Sequence, residues 1–258
     1  MPRLMLTFDV QLGPDEQARL AATNPTDWFT TVRFANAASP PHPQASSLAA
    51  NHALKRELVG DWVQRLAPGR SVLDLFAANG AFSFIAAQHG AREVLGVDFE
   101  AGRVDLAELT ADLLRRHGAL PCPVAFERGD VYDTASRFTE PFDVVLNLGG
   151  LYHIADPPYV LDQGRAVTAE WMILQTASVI PGRDNYARFG VRHDQTGRGL
   201  ASIRGGRGVW HYTVACLREF CRHAGFVIVE ERQPKRKLRR RWPWWCALLR
   251  PVENRSGS

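Results

Sequence analysis

Four cysteines (Cys122, Cys216, Cys221 and Cys246) are all that 258 residues contain, with neither C-x-x-C spacing nor zinc-type pairing with histidines. That argues against a disulfide framework or a thiolate metal site, and we read them as reduced thiols in a cytoplasmic protein. No apolar run approaches membrane-spanning length, and Met1-Pro2-Arg3-Leu4 is not followed by the apolar core of a signal peptide. Charge of one sign is also scarce: the net charge is +4, which permits an anionic partner without demanding one. No internal repeat and no low-complexity segment appears. The apolar fraction is 45%, ample for one large α/β domain with a small N-terminal addition.

What the chain does have is a rhythm. The stretch opening at Ser71 is a short apolar run that ends in Asp74. It passes through a small-residue turn to Gly80 and becomes helical until Gly90. Strand, tight loop and helix N-terminus in that order turn backbone N–H groups toward a ligand at the strand end. Before it, Leu54, Leu58, Trp62 and Leu66 stand at helical spacing in a helix from Ser46, stopped by Pro68-Gly69. Further upstream come a strand over Leu4–Val10, a helix near Asp15–Ala22, and a proline-rich arm at Ser39–Pro43 that can be neither helix nor central strand. After Gly90 come strands at Glu93–Asp98, Val124–Glu127, Phe142–Asn147 and Glu170–Thr176. Helices alternate with them, one over Val104–Leu114 with Gly118 past its end, another opening at Asp156-Pro157. This alternation predicts a doubly wound, mostly parallel sheet with helices on both faces.

Residues 177–209 break the rhythm, being rich in Gly and Arg and too long for an ordinary connection, so they read as a functional insertion. Thr213 then caps a helix that Gly225 ends. Phe226–Glu230 and Trp245–Arg250 have no helix between them, so they form a hairpin and the last strand runs antiparallel to the rest.

Three carboxylates stand at or just after three successive strand ends: Asp74, Asp98 and Asp130. Each alone is most simply a cap or a turn residue; together on one rim they read as a ligand site. Asp98 lies 24 positions past Asp74, near the spacing of about 20 in nucleotide-binding folds. A dinucleotide loop asks for G-x-G-x-x-G, however, and Phe76 and Ala78 stand where glycines belong. With only Gly80 left, the loop favours S-adenosylmethionine, which carries no phosphate, over a dinucleotide.

The succession VLDLFAANGAFSF, VLGVD, ERGDVYD and FDVVLNLGGLYHIADP resembles the class I S-adenosylmethionine-dependent methyltransferases over roughly residues 70–251. Narrower features are similar to the bacterial tRNA wobble-uridine methyltransferase family, which acts on 5-hydroxyuridine. These are Trp28-Phe29, Gly149–His153, Tyr186–Phe189, and Val209–Thr213 ahead of a helix ending in Ala224-Gly225-Phe226. The class resemblance implies a Rossmann-like sheet of seven strands and S-adenosylmethionine as cofactor. Asp74, Phe76, Ala78 and Gly80 would frame its methionine moiety, Asp98 its ribose, Asp130 and Val131 its adenine, with Asn147 and Leu148 behind the sulfonium. The narrower resemblance adds Trp28, Tyr186, Arg188, Trp210 and His211 as acceptor contacts. No metal is expected. The wobble-uridine enzyme uses a carboxylated cofactor, but Trp244-Trp245 stand where its arginine is expected, which favours the ordinary cofactor.

His153, beside Tyr152 on the rim past the fourth strand, is the first candidate for a general base, since an imidazole suits proton removal at neutral pH. Packing beneath the loop and orienting Tyr152 is the competing role, and the sequence leaves both open. His193 and His211 rank lower. Asp156-Pro157-Pro158-Tyr159 spells the DPPY of amino-methyltransferases, yet Asp156 lies nine positions past Asn147. An N-cap Asp with Pro at the first helical position explains the same letters. The run Lys235–Arg241 holds six cations in seven residues beside Trp242, Trp244 and Trp245. It fits nucleic acid, an anionic membrane surface, or a solvated hairpin loop. Arg183, Arg188, Arg192, Arg198, Arg204 and Arg207 in the insertion favour an anionic acceptor.

Three functions follow. The leading expectation is methyl transfer to an oxygen or nitrogen of a polar small molecule. It assigns residues 1–69 to an arm and helix covering the active site, 70–251 to the methyltransferase domain with a lid at 177–209, and 252–258 to a tail. The alternatives are tRNA methylation at wobble 5-hydroxyuridine and a non-catalytic cofactor- or RNA-binding protein of the same fold.

Overall fold

A strand buried on both faces is a continuous apolar run rather than an alternating one, and the unbroken burial of Ser71–Leu75 marks the middle of a sheet. The structure is a computed structural model that describes residues 6–177, 179–191, 208–235 and 243–252. It divides into two units, Met1–Asp130 and Val131–Ser258.

The first unit holds β1 (Leu6–Thr7), α1 (Pro14–Ala21), β2 (Val32–Arg33), α2 (Ala45–Leu66), β3 (Ser71–Leu75), α3 (Ala81–Gln88), β4 (Glu93–Asp98), α4 (Ala101–Arg116) and β5 (Val124–Arg128). Strands β3, β4 and β5 pair in parallel. Helix α2 buries Leu54, Leu58, Trp62 and Leu66 as the spacing predicts, and adds His52, Val59 and Val63 to that face. In the segment expected as a strand over Leu4–Val10, Leu4 and Met5 lie outside the described residues, β1 pairs in parallel with β2, and 8–10 are not strand. Beyond β1, Phe8 joins an aromatic chain through Phe84 to Phe126, with ring centroids 5.9 and 5.4 Å apart. Those rings fasten the N-terminal segment to α3 and β5. Helix α1 starts as proline and acids dictate: Pro14 opens it, and Glu16 accepts from the Gly13 N–H at 3.0 Å.

The second unit holds α5 (Thr134–Arg137), β6 (Phe142–Leu148), α6 (Pro157–Ala166), β7 (Thr168–Thr176), β8 (Ala187–Val191), β9 (Gly208–Tyr212), α7 (Val214–His223), β10 (Phe226–Arg232) and β11 (Trp245–Pro251). Strand β6 runs parallel to β7, and β11 is antiparallel to both β7 and β10. The seven long strands are ordered β10-β11-β7-β6-β3-β4-β5, which is the mostly parallel seven-stranded sheet with one antiparallel strand. The insertion differs from a plain loop: β8 and β9 form an antiparallel ribbon. Asp156 caps α6 by accepting from the Tyr159 N–H at 3.2 Å with Pro157 next, so the DPPY letters are a helix start. Thr213 caps α7 in the same way, through the Cys216 N–H. Trp244 and Trp245 are buried, as sheet packing requires. Among the described residues no helix is long and apolar enough to cross a membrane.

Candidate active site

In the first unit the loop after β3 takes a left-handed backbone at every second residue: Phe76 at φ 64°, Ala78 at 50° and Gly80 at 80°. A side chain in that region costs about 1–2 kcal/mol. Phe76 and Ala78 therefore hold the conformation that glycine would adopt freely. Gly80 has no such latitude. A Cβ there would stand 2.5 Å from Phe126 Cζ and 2.9 Å from Phe84 Cε2.

Asp98 holds this loop in place. Its Oδ2 accepts from the Ala78 N–H at 2.8 Å, its Oδ1 accepts from the Glu100 N–H at 3.0 Å, and Arg103 approaches Oδ1 at 3.9 Å. A carboxylate has about four acceptor positions, so each oxygen keeps capacity for a hydroxyl. Phe99, the next residue, is 40% exposed, with the Arg128 guanidinium 5.6 Å from its ring centroid. Asp130 is half-buried two positions past β5.

Asp74 is 2% exposed and accepts from Ser83 Oγ at 2.7 Å. Burial raises its pKa to about 7, opposed by the Ser83 hydrogen bond and the Lys55 charge. Asn79, fully buried, exchanges two hydrogen bonds with the Thr30 backbone: Thr30 N–H to Oδ1 at 3.0 Å and Nδ2 to Thr30 O at 2.9 Å. Thr30 Oγ1 also meets the buried ring of His52 at 3.3 Å. Burial, then the Lys55 charge, lowers the His52 pKa to about 3, so its ring is neutral. Beside Thr30, the Phe29 ring lies 4.4 Å from the Arg103 guanidinium. The N-terminal arm is thereby fastened to the loop at Asn79 and to the partner of Asp98.

The second unit presents a different set. Asn147 is fully buried on β6, and among the described residues neither its Oδ1 nor its Nδ2 has a hydrogen-bond partner. Thr176 Oγ1 and Gln175 Oε1 at the end of β7 are in the same condition. Asn147 pairs in register with Leu174, so Asn147 and Thr176 share one face of the sheet, while Gln175, opposite Leu148, lies on the other. Leu148 and Val131 are buried and apolar. Past β6, Gly149 at φ 94° donates to Gln175 O at 2.9 Å, and a 3-10 turn covers Leu151–His153. The Tyr152 and His153 rings pack with centroids 3.7 Å apart. Strand β9 closes over this turn: Trp210 Nε1–H donates to Ile154 O at 3.0 Å and Tyr212 Oη–H to Leu151 O at 3.1 Å. His211 stands opposite Arg188 across the ribbon, and Tyr186 and Phe189 are half exposed.

Of the expected site residues, the structure gathers Asp74, Phe76, Ala78, Gly80 and Asp98 around one loop. It gathers Asn147, Leu148, Tyr152, His153 and Trp210 around the end of β6, while His211, on the alternate side of β9 from Trp210, pairs across the ribbon with Arg188. Trp28 is a correction: it is 1% exposed with its Nε1–H donated to Thr23 Oγ1 at 2.8 Å, so its ring packs the core of the N-terminal region in place of contacting an acceptor. His193, Arg192, Arg198, Arg204, Arg207, Trp242, the tail from 253 and the basic run from Arg236 to Arg241 lie outside the described residues. Sequence reasoning missed Thr30, His52, Asn79, Ser83 and Thr176. Only the small polar residues in a turn beside Gly80 signalled Asn79.

Residues 66–185 match the family model described as a methyltransferase domain. No curated protein sequence matches the chain. Among solved structures, the magnesium protoporphyrin IX methyltransferase of Synechocystis PCC 6803 with bound SAH is similar at a TM-score of 0.59 and 18% identity, over 81% of this chain and 87% of its own. The N-terminal domain of EvdMO1 with SAH bound gives 0.56 and 20%, over 83% and 86%. The 1,6-didemethyltoxoflavin-N1-methyltransferase of Burkholderia thailandensis, with 1,6-didemethyltoxoflavin and S-adenosylhomocysteine bound, gives 0.55 and 18%, over 79% and 83%. At such identities the likeness is one of fold. The methyltransferase-domain match over residues 66–185 and the fold shared with these SAH-bound structures support S-adenosylmethionine-dependent methyl transfer as the activity.

Proposed function

We propose that the enzyme methylates an oxygen or nitrogen of a polar small molecule, with the acceptor seated at the ends of β6 and β7. The carrying observation is the pair Asn147 and Thr176: fully buried, on one face, and without hydrogen-bond partners. Buried polar groups are almost always paired. A compact polar ligand that enters the fold fits them better than a macromolecular surface does. Two of the similar enzymes are named for small molecules, magnesium protoporphyrin IX and 1,6-didemethyltoxoflavin.

The cofactor supplies a methyl group already activated on a sulfonium, so the protein's task is chiefly alignment. Asp98 suits the ribose hydroxyls with its remaining lone pairs, Phe99 offers a ring face to the adenine, and Asp74 suits an ammonium. Asp130 and Val131 keep the adenine assignment, and Phe76, Ala78 and Gly80 shape the loop. His153 takes the proton of an acceptor hydroxyl or amine, with Tyr152 packed against it. Arg188 and His211 share one face of the ribbon, with Tyr186 just before it, and these keep the acceptor assignment together with Trp210 on the other face; Arg188 favours an anionic acceptor. Incubation with candidate acceptors and mass spectrometry of the products tests this directly: a gain of one methyl group names the acceptor. His153→Ala should then lower turnover about 100-fold or more while sparing cofactor affinity; unchanged turnover assigns His153 to packing.

A second reading, wobble-uridine methylation of tRNA, draws on the exposed Tyr186 and Phe189 beside Arg188, which suit a base and a phosphate. Retention on bulk tRNA measured against salt separates the two. Binding undetectable at low salt, where phosphate contacts are strongest, removes the RNA reading.

A further inference from the structure

We propose that Tyr132 is a positioning residue: its phenol oxygen ties the turn that carries Tyr152 and His153 to Val131, so that a bound cofactor fixes the turn. The inference rests on the adenine assignment of Val131 and on the role proposed for His153, and it adds a residue that neither reading uses.

The turn Leu151–His153 is held by its backbone on either side of Tyr152 and His153. From the ribbon, Tyr212 and Trp210 donate to the Leu151 and Ile154 carbonyls. Past Ile154 the chain has only two N–H groups before Tyr159, those of Ala155 and Asp156, since Pro157 and Pro158 carry none. Both donate to Tyr132 Oη, at 2.7 and 3.0 Å. A hydroxyl oxygen has two lone pairs, so one atom takes up both. Ala155 and Asp156 are exposed and belong to no helix or strand. The phenol is what shields their amides from water.

Tyr132 is itself fixed on two sides. It lies in the 3-10 turn Val131–Asp133, where the Val131 carbonyl accepts from Thr134 Oγ1 at 2.8 Å. Its ring stacks on Tyr159, the third residue of α6, with centroids 6.0 Å apart and planes at 20°. A ligand shifts a conformational equilibrium only through groups whose contacts differ between the two states. With the adenine against Val131, the turn Val131–Asp133 gains such a contact. The phenol, one residue along, carries it through two hydrogen bonds to the residues just past His153. The cofactor thereby brings the methyl group and steadies the group that removes the acceptor's proton.

A plain packing role makes a different forecast. If Tyr132 only supports the start of α6, loss of its hydroxyl lowers stability, and the turn ignores the cofactor.

Amide hydrogen exchange followed by NMR on the full chain, with and without saturating S-adenosylhomocysteine, separates the two roles and needs no acceptor. In the wild type the ligand should slow exchange at Ala155 and Asp156 about fivefold or more. Tyr132→Phe keeps the ring and removes the oxygen. Both amides should then exchange about fivefold faster without ligand, and the ligand should change their rates by less than about twofold. Tyr159→Leu removes the stack and leaves the hydroxyl, so the response to ligand should remain. Wild-type amides indifferent to the ligand overturn the proposal, as does a full response in Tyr132→Phe. Loss of the response in Tyr159→Leu overturns it as well, since the stack and not the hydroxyl would then carry the effect. Absence of all binding to the wild type overturns it together with the cofactor assignment, which makes that failure distinct from the other three.

Discussion

The loop after β3 and the ends of β6 and β7 treat buried polar groups in opposite ways. Around the loop, Asp74 has Ser83, Asp98 has two backbone N–H groups, and Asn79 has both backbone polar groups of Thr30. At the ends of β6 and β7, Asn147, Gln175 and Thr176 have buried polar atoms that meet none. A saturated network fixes one geometry. Unmatched groups lower stability until a ligand matches them, which is how binding sites come to cost stability. On the proposed reading, the loop after β3 is a cofactor site built in advance, and the ends of β6 and β7 are an acceptor site built to be completed.

That contrast predicts the sign of each substitution. The largest effect concerns Asp74. Its folded pKa of about 7 lies above its ordinary value of 3.8, so the folded state holds the proton more tightly than the unfolded chain. Stability of the cofactor-free protein should therefore fall as pH rises from about 4 to about 7, then level off, a loss of up to about 4 kcal/mol. Thermal unfolding of wild type and Asp74→Asn across this window checks it. The variant should lack the slope and be the more stable of the two at pH 8; parallel curves would remove the buried neutral Asp74. Gly80→Ala comes next, since it adds both a strained φ and a clash with Phe126, at about 3 kcal/mol in denaturant unfolding. Phe126→Leu in the same chain should recover part of that, and no recovery would mean the clash is not the cause.

Asn79→Ala strands two backbone groups of Thr30 and should cost about 2 kcal/mol. Thr176→Val is the smallest effect and has the opposite sign. Removing a buried hydroxyl without a partner should raise stability by about 1 kcal/mol. If Thr176→Val destabilises as Asn79→Ala does, the contrast between the two regions fails.

Much of this was legible in the sequence, for physical reasons. Buried strands announce themselves as apolar runs, and the caps Asp156 and Thr213 follow from side-chain chemistry within three residues. The carboxylate Asp98 followed from its place at a strand end. What escaped depends on contacts far apart in the chain. Asn79 and Thr30 are 49 positions apart, and neither residue alone marks the pair. Phe76 and Ala78 read as missing glycines, whereas the backbone there is left-handed all the same, because Asp98 and the core on either side hold it. Trp28 was implied as an acceptor contact by the narrower resemblance and is buried, its one polar atom finding Thr23. The ribbon of β8 and β9 was hidden because its strands are separated by residues 192–207, rich in Gly and Arg, without a two-residue turn to reveal their pairing.

The account stands on a pre-built cofactor loop organised by Asp98, and titration calorimetry with S-adenosylhomocysteine tests it most directly. The wild type should bind with one site per chain, and Asp98→Ala, which removes the hydrogen bond to the Ala78 N–H, the one to the Glu100 N–H and the proposed ribose acceptor, should weaken binding about 100-fold or more. No binding to the wild type at millimolar ligand, or equal affinity in Asp98→Ala, would contradict it.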